Sequence, residues 1–189
     1  RTSPIPVQPP ASSLQRDAPG EGPVTGAGSN QQYWWLAFQS FRDGNYEIYL
    51  GSSPPSTKYA QRLTFDQHAD VEPTLNPGAG QIAFVSLRDG NAEIYRMDTD
   101  GSHLKRLTSN PADDVMPIWS DVTSPHHPGS LYFVSERDGN PEIYRMDADG
   151  GLGERLTYDG AADIYPAPAP DGSRLAWIRY QGQYGAIWT

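Results

Sequence analysis

Eight residues, Arg42-Asp43-Gly44-Asn45-Tyr46-Glu47-Ile48-Tyr49, return nearly unchanged at 88–95 and again at 137–144, with spacings of 46 and 49. Self-similarity at such a period confines the chain to a repeat architecture, because one unit cannot bury its own apolar face and must stack on its neighbours. Other segments keep step. Arg62-Leu63-Thr64 recurs at 106–108 and 155–157, and Asp70-Val71-Glu72-Pro73 as Asp114-Val115-Met116-Pro117 and Asp163-Ile164-Tyr165-Pro166, both sets at spacings of 44 and 49. The differences fall between elements. Pro73 to Ile82 spans 9 positions and Pro117 to Leu131 spans 14, so five extra residues lie around His126 and His127. Asp43 to Leu63 spans 20 positions and Asp89 to Leu107 spans 18, so two more lie near Ser53-Pro54-Pro55. Constant elements joined by variable connections are what a repeat array produces.

One full repeat reads as four short strands: a (Met116-Pro117-Ile118-Trp119), b (131–134), c (142–146) and d (154–157). Ile82-Ala83-Phe84-Val85 and Leu131-Tyr132-Phe133-Val134 are apolar on both faces, the pattern of strands held between two neighbouring sheets. Asp43-Gly44, Asp89-Gly90 and Asp138-Gly139 predict tight hairpin turns between b and c, since Gly accepts positive φ without steric cost. Pro at the start or edge of strand a is tolerated. The chain contains no amphipathic helical pattern. The expected fold class is therefore all-β, a β-propeller-like array of four-stranded blades.

Strand-Ser-x-Arg-Asp-Gly-Asn-x-Glu-Ile-Tyr-x-Met-Asp-x-Asp-Gly, followed by Arg-Leu-Thr and Asp-x-x-Pro, resembles the blade repeat of the TolB-type periplasmic propellers across residues 33–189. The match is full in the second and third repeats. In the last it shrinks to Tyr165-Pro166, Pro170-Asp171-Gly172 and Leu175-Ala176-Trp177-Ile178, without the Arg-Asp-Gly-Asn turn. The resemblance implies a propeller whose blades hold protein partners and an extracytoplasmic location; it implies no enzymatic activity.

The repeats divide as 33–72, 73–116, 117–165 and 166–189, about 3.3 blades at the mean period. The first has b, c and d without an evident a. The last has a, b and, at Ala186-Ile187-Trp188, c, but no d. About 14 strands are expected, in two complete and two incomplete blades, leaving edges that proteins normally cover. The array is a piece of a larger propeller, a four-bladed ring closed by its own tail, or a unit that takes strands from another copy. Residues 1–32 hold six Pro and four Gly, a composition that does not fold alone. They read as a docking or strand-donating arm, with Ile5, Val7 and Val24 as the apolar contacts. Arg1 in place of Met points to a removed leader or an excised segment.

The acids outnumber the bases, 23 to 14, for a formal charge of −9, so no phosphate-tracking surface and no nucleic-acid partner is expected. No apolar run reaches the roughly 18 residues of a membrane span. Zero cysteines exclude disulfides and thiolate chemistry. The Arg-Asp and Glu groups recur in every repeat, which suits blade-to-blade bracing better than catalysis, since a catalytic group is needed once. Asp98-Thr99-Asp100-Gly101 lacks the further ligands of a calcium loop, and adjacent His126 and His127 point opposite ways on an extended chain. No catalytic residue, metal site or cofactor is expected. Trp34, Trp35, Trp119, Trp177 and Trp188 read as core, and Asp70, Asp113, Asp114 and Asp163 as either turn caps or an acidic ring at a channel mouth.

The expected function is a non-catalytic extracytoplasmic propeller working by protein association, including with copies of itself. The alternatives are part of a propeller-containing hydrolase or protease, or a carbohydrate-binding surface module.

Overall fold

A computed structural model describes residues 34–53, 60–76, 78, 80–121 and 123–189. The tail positions Ile5, Val7 and Val24 lie outside the described residues. The first sheet is β1 (Trp34–Ser40), β2 (Glu47–Ser53) and β3 (Gln61–Arg62). The second is β4 (Asp70–Asn76), β5 (Gln81–Ser86), β6 (Glu93–Asp98) and β7 (Lys105–Arg106). The third is β8 (Asp114–Trp119), β9 (Leu131–Ser135), β10 (Glu142–Met146) and β11 (Glu154–Arg155). The fourth is β12 (Ala162–Pro168), β13 (Leu175–Gln181) and β14 (Tyr184–Trp188). Every ladder is an antiparallel meander, and the described residues hold 14 strands and no helix, in two complete and two three-stranded sheets as the repeat arithmetic expects.

Each sheet packs on the next, largely through the first strands β4, β8 and β12. Among the described residues no substantial packing joins the fourth sheet to the first. The cores of the first two junctions follow one rule. Ala37, Ile48, Leu50 and Leu63 of the first sheet meet Leu75, Ile82, Phe84, Tyr95 and Met97 of the second. Ala83, Ile94 and Leu107 of the second meet Trp119, Leu131, Phe133, Tyr144 and Met146 of the third. At these two junctions a sheet offers Ala and Ile to its successor and a stacked aromatic pair to its predecessor. Burial on both faces explains why β5 and β9 carry unbroken apolar runs, with Ile82, Phe84, Leu131 and Phe133 all at 0% exposure. Each such side chain contributes about 1.5–3 kcal/mol.

Several local expectations are corrected. Six residues, not a two-residue hairpin, link Ser86 to Glu93, because the turn at Leu87–Gly90 is followed by Asn91, whose side chain is needed elsewhere. A two-residue turn occurs in the fourth sheet instead, where Gln181 faces Tyr184 and Gly182 has φ 66°. The tryptophans are not uniformly core: Trp119 is buried, whereas Trp35 and Trp188 are 44% and 43% exposed, since each lies in an end sheet.

Each first strand also carries a bulge. Glu72, Met116 and Tyr165, the residues before the repeat prolines, have φ of 53°, 55° and 56°, and the ladder register shifts at these points. A non-glycine residue there is strained, and its recurrence marks a feature the stacked sheets enforce.

Candidate functional site

The repeated acids form two kinds of lock. In the first, Glu47, Glu93 and Glu142 are at 0% exposure, where an unpaired carboxylate would be costly. Their Oε1 atoms accept from Nη2 of Arg62, Arg106 and Arg155 at 2.7, 2.7 and 2.9 Å. Their Oε2 atoms accept from the hydroxyls of Thr64, Thr108 and Thr157. The same hydroxyls receive the backbone N–H of Ile48, Ile94 and Ile143, each at 2.9 Å. The arginine's other terminal nitrogen lies 3.3, 3.0 and 3.1 Å from Asp43, Asp89 and Asp138. Those aspartates also accept the hydroxyls of Tyr49, Tyr95 and Tyr144. Burial first, then the aspartate, pushes all three phenols up, Tyr95 to about 12. The two-residue outer strands β3, β7 and β11 end at the Arg of each Arg-Leu-Thr, so this segment is held by its side chains more than by its short ladder.

The second lock joins strand a to the b–c turn. Nη2 of Arg88 reaches Asp70 at 3.1 and 2.9 Å while its Nε donates to Ser86; Arg137 repeats this on Asp114 at 3.0 and 2.9 Å with Ser135. Both locks tie strands of one sheet together, so the expected blade-to-blade bracing is corrected to bracing within a blade. Bonds between sheets come from other groups: Gln39 Oε1 accepts from Glu72 N, Glu72 Oε2 from Met116 N, and Thr74 O from Trp119 Nε1. Burial pushes the Glu72 carboxyl up, against the downward pull of the Met116 N–H.

Asp70, Asp114 and Asp163, which the sequence left as caps or a channel-mouth ring, are fully buried inside the first strands and closed by arginines. Asp113 is exposed and accepts from Ala92 N. Gly44, Gly90 and Gly139 have φ of 106°, 97° and 100°. Sequence reasoning missed the asparagines of the repeat: Asn45, Asn91 and Asn140 each donate to two backbone carbonyls of the loop leading to the next sheet. The signal was present, since Asn recurs where a turn alone would accept other residues.

His127 packs on Arg145, and burial pulls its imidazole down, whereas His126 is exposed. Among the described residues no three metal-ligating side chains converge, and no helix is long and apolar enough to cross a membrane.

Repeated four-stranded sheets, stacked through their first strands and fastened by identical arginine locks, define a β-propeller repeat protein. The match of the TolB beta propeller domain over residues 35–188 then gives the particular family: the chain belongs to it. Among solved structures it is similar to a putative TolB from Agrobacterium tumefaciens, at 25% identity and TM-score 0.67 over 80% of this chain and 52% of that one. It is also similar to TolB from Acinetobacter baumannii, at 27% identity and TM-score 0.66 over 81% of this chain and 37% of that one. A puromycin-hydrolyzing peptidase of Mycobacterium tuberculosis shares the fold at 16% identity and TM-score 0.57, over 84% of this chain and 27% of that one. The chain thus spans about half or less of these structures. No curated protein matches it.

Proposed function

We propose that this chain is a non-catalytic, extracytoplasmic propeller module that works by associating with protein, including further copies of itself, with residues 1–32 as a docking arm. One observation carries this reading. In the complete repeats the buried carboxylates are already matched by arginine and hydroxyl donors, so the repeated chemistry serves cohesion, while among the described residues β1 and β14 each pair with a strand on one side only. An unpaired strand edge is what a partner strand recognises. The extracytoplasmic assignment rests on the TolB resemblance.

The competing reading, a propeller portion of a hydrolase or peptidase, takes its support from the peptidase fold likeness and from the fraction of those chains covered. Deletion of residues 1–32, followed by light scattering and thermal melting, tests the association reading. Loss of oligomers with blades still folded supports an arm acting between copies. A destabilised monomer assigns the arm to its own chain. Unchanged size and stability removes any structural role for it.

A further inference from the structure

One segment breaks the repeat and is held by bonds of its own. Trp119 and Leu131 are joined by a longer connection than Asn76 and Gln81, and its stretch 123–130 is organised by buried serines. Ser124, fully buried, takes the backbone N–H groups of His126 and His127 on its hydroxyl oxygen at 3.4 and 3.3 Å. Ser120, also buried, donates to the carbonyl of His127 and accepts from Ser130 N at 2.9 Å. The segment rests on the next sheet: a Cβ at Gly172, in the β12–β13 turn, would overlap Ser124 Oγ and stand 3.5 Å from the Cβ of His126. Its other attachment is to its own sheet. There His127 Nε2 meets Nη1 of Arg145 on β10, while Nη2 of the same guanidinium donates to Glu154 of β11.

The contact between Arg145 and His127 fixes a protonation state. A guanidinium can only donate, so Nε2 must accept, and the imidazole is neutral with its proton on Nδ1. A second proton would sit on Nε2 and point at the N–H of Arg145, setting two cations where one hydrogen bond stood. We propose that residues 123–130 form an acid-released clasp, which fastens the third sheet to the β12–β13 turn of the fourth while His127 is neutral and opens when His127 takes a proton. The inference is independent of the association reading. Arg145 from β10, Glu154 from β11 and the neighbouring His126 all act on the His127 ring, and Asp171 of the β12–β13 turn lies near His126. Glu154 is the one attraction for a charged His127, and it is 59% exposed and already paired with Arg145. Burial and then Arg145 pull the imidazole below its ordinary value of 6.5, so the folded chain takes this proton less readily than the unfolded one. The clasp is therefore complete above about 6.5 and is lost as pH falls through the folded value. A proton on His126 acts the other way, drawing it towards Asp171, so the two histidines must be tested apart.

Backbone hydrogen exchange on the full chain, corrected for the intrinsic effect of pH, reads the clasp at the amides of Gly129, Ser130 and Gly172, with those of Leu107 and Leu156 as reference. Between about pH 7.5 and 5, protection of the first three should fall by up to about tenfold for each unit by which His127 is lowered, while the reference amides keep theirs. His127→Gln, whose amide oxygen still accepts from Arg145 and cannot titrate, should show no such pH response. His127→Lys, a fixed cation beside Arg145, should be open at both ends of the range. His126→Gln should respond as wild type does. The clasp is overturned if wild-type protection at these amides is independent of pH, if His127→Gln responds as wild type does, if His126→Gln abolishes the response, or if the reference amides lose protection equally. None of those results bears on the association reading, which the tail deletion tests.

Discussion

Arg179 grips Asp163 through two parallel bonds, Nε to Oδ1 and Nη2 to Oδ2, both 2.7 Å, directly across the β12–β13 ladder. In the second and third sheets the corresponding aspartates are held by arginines of the b–c turn, two residues beyond the serines that face them. The fourth sheet has lost that turn, and an arginine at the serine position restores the ion pair and stacks 4.3 Å above Trp188. Arg179→Ala leaves a fully buried carboxylate without its main partner and should cost about 3–5 kcal/mol. Urea denaturation reads the loss. Arg179→Lys should recover only part of it, because an ammonium cannot make the two parallel bonds.

Glu93→Gln tests the other lock. The amide keeps the shape but cannot accept from both Arg106 and Thr108 as a carboxylate does. Because Arg106 is about one-third exposed and can turn to water, the expected cost is about 2–3 kcal/mol, at the lower end for a broken buried pair. Asp149→Ala, which removes the exposed partner of Arg96, should stay within about 1 kcal/mol. Equal midpoints for the two variants would show that burial of Glu93 does not govern the lock.

The repeat, the strand count and the positive-φ glycines were legible because each is written locally and several times over. The register was not, and it decides the rest. Arg179 sits outside the Arg-Asp-Gly-Asn pattern, so only the ladder reveals that it faces Asp163. Glu72, Met116 and Tyr165 precede prolines, where sequence rules favour extended backbone. The bulge that seats each first strand overrides that preference. Bracing within rather than between sheets was equally hidden, because spacing along the chain does not say whether Arg62 meets Glu47 of its own sheet or a residue of the next.

Glycine substitutions separate backbone strain from crowding. At Gly90 a Cβ would meet nothing within 4 Å, so Gly90→Val should cost only the strain of φ 97°, about 1–3 kcal/mol. At Gly150 the φ is 80° and a Cβ would stand 2.9 Å from the backbone oxygen of Leu107 in the preceding sheet. Gly150→Ala should therefore destabilise more than Gly90→Ala. Equal melting temperatures for those two variants would mean that the second and third sheets do not approach so closely.

Burial outweighs Ser86 and Arg88 at Asp70, and Ser135 and Arg137 at Asp114, so both carboxyls sit above their ordinary values. A raised carboxyl binds its proton more readily in the folded chain than in the unfolded one. Its contribution is therefore greatest below the ordinary value near 3.8 and falls as pH rises from there through the folded value. Asp70→Asn removes that opposing term. Although less stable at neutral pH, the variant should gain stability with pH more steeply than wild type across the mildly acidic window. Parallel stability curves would contradict the direction given to Asp70.

At the alkaline end the test falls on Tyr95, whose phenol is raised to about 12 by burial and by its bond to Asp89. The unfolded chain ionises this group from about pH 10, whereas the folded chain resists until about 12. Stability from Tyr95 is therefore complete below pH 10 and drains away as pH rises between those values. Tyr95→Phe should cost about 0.5–1.5 kcal/mol at neutral pH for the lost hydrogen bond and should flatten the alkaline part of the stability curve. Absorbance titration of wild type should find one class of phenols ionising near 10 and a buried class appearing only as the sheets come apart. If every tyrosine titrates together near 10 with the fold intact, the Tyr–Asp–Arg connection of the b–c turns is not formed in solution.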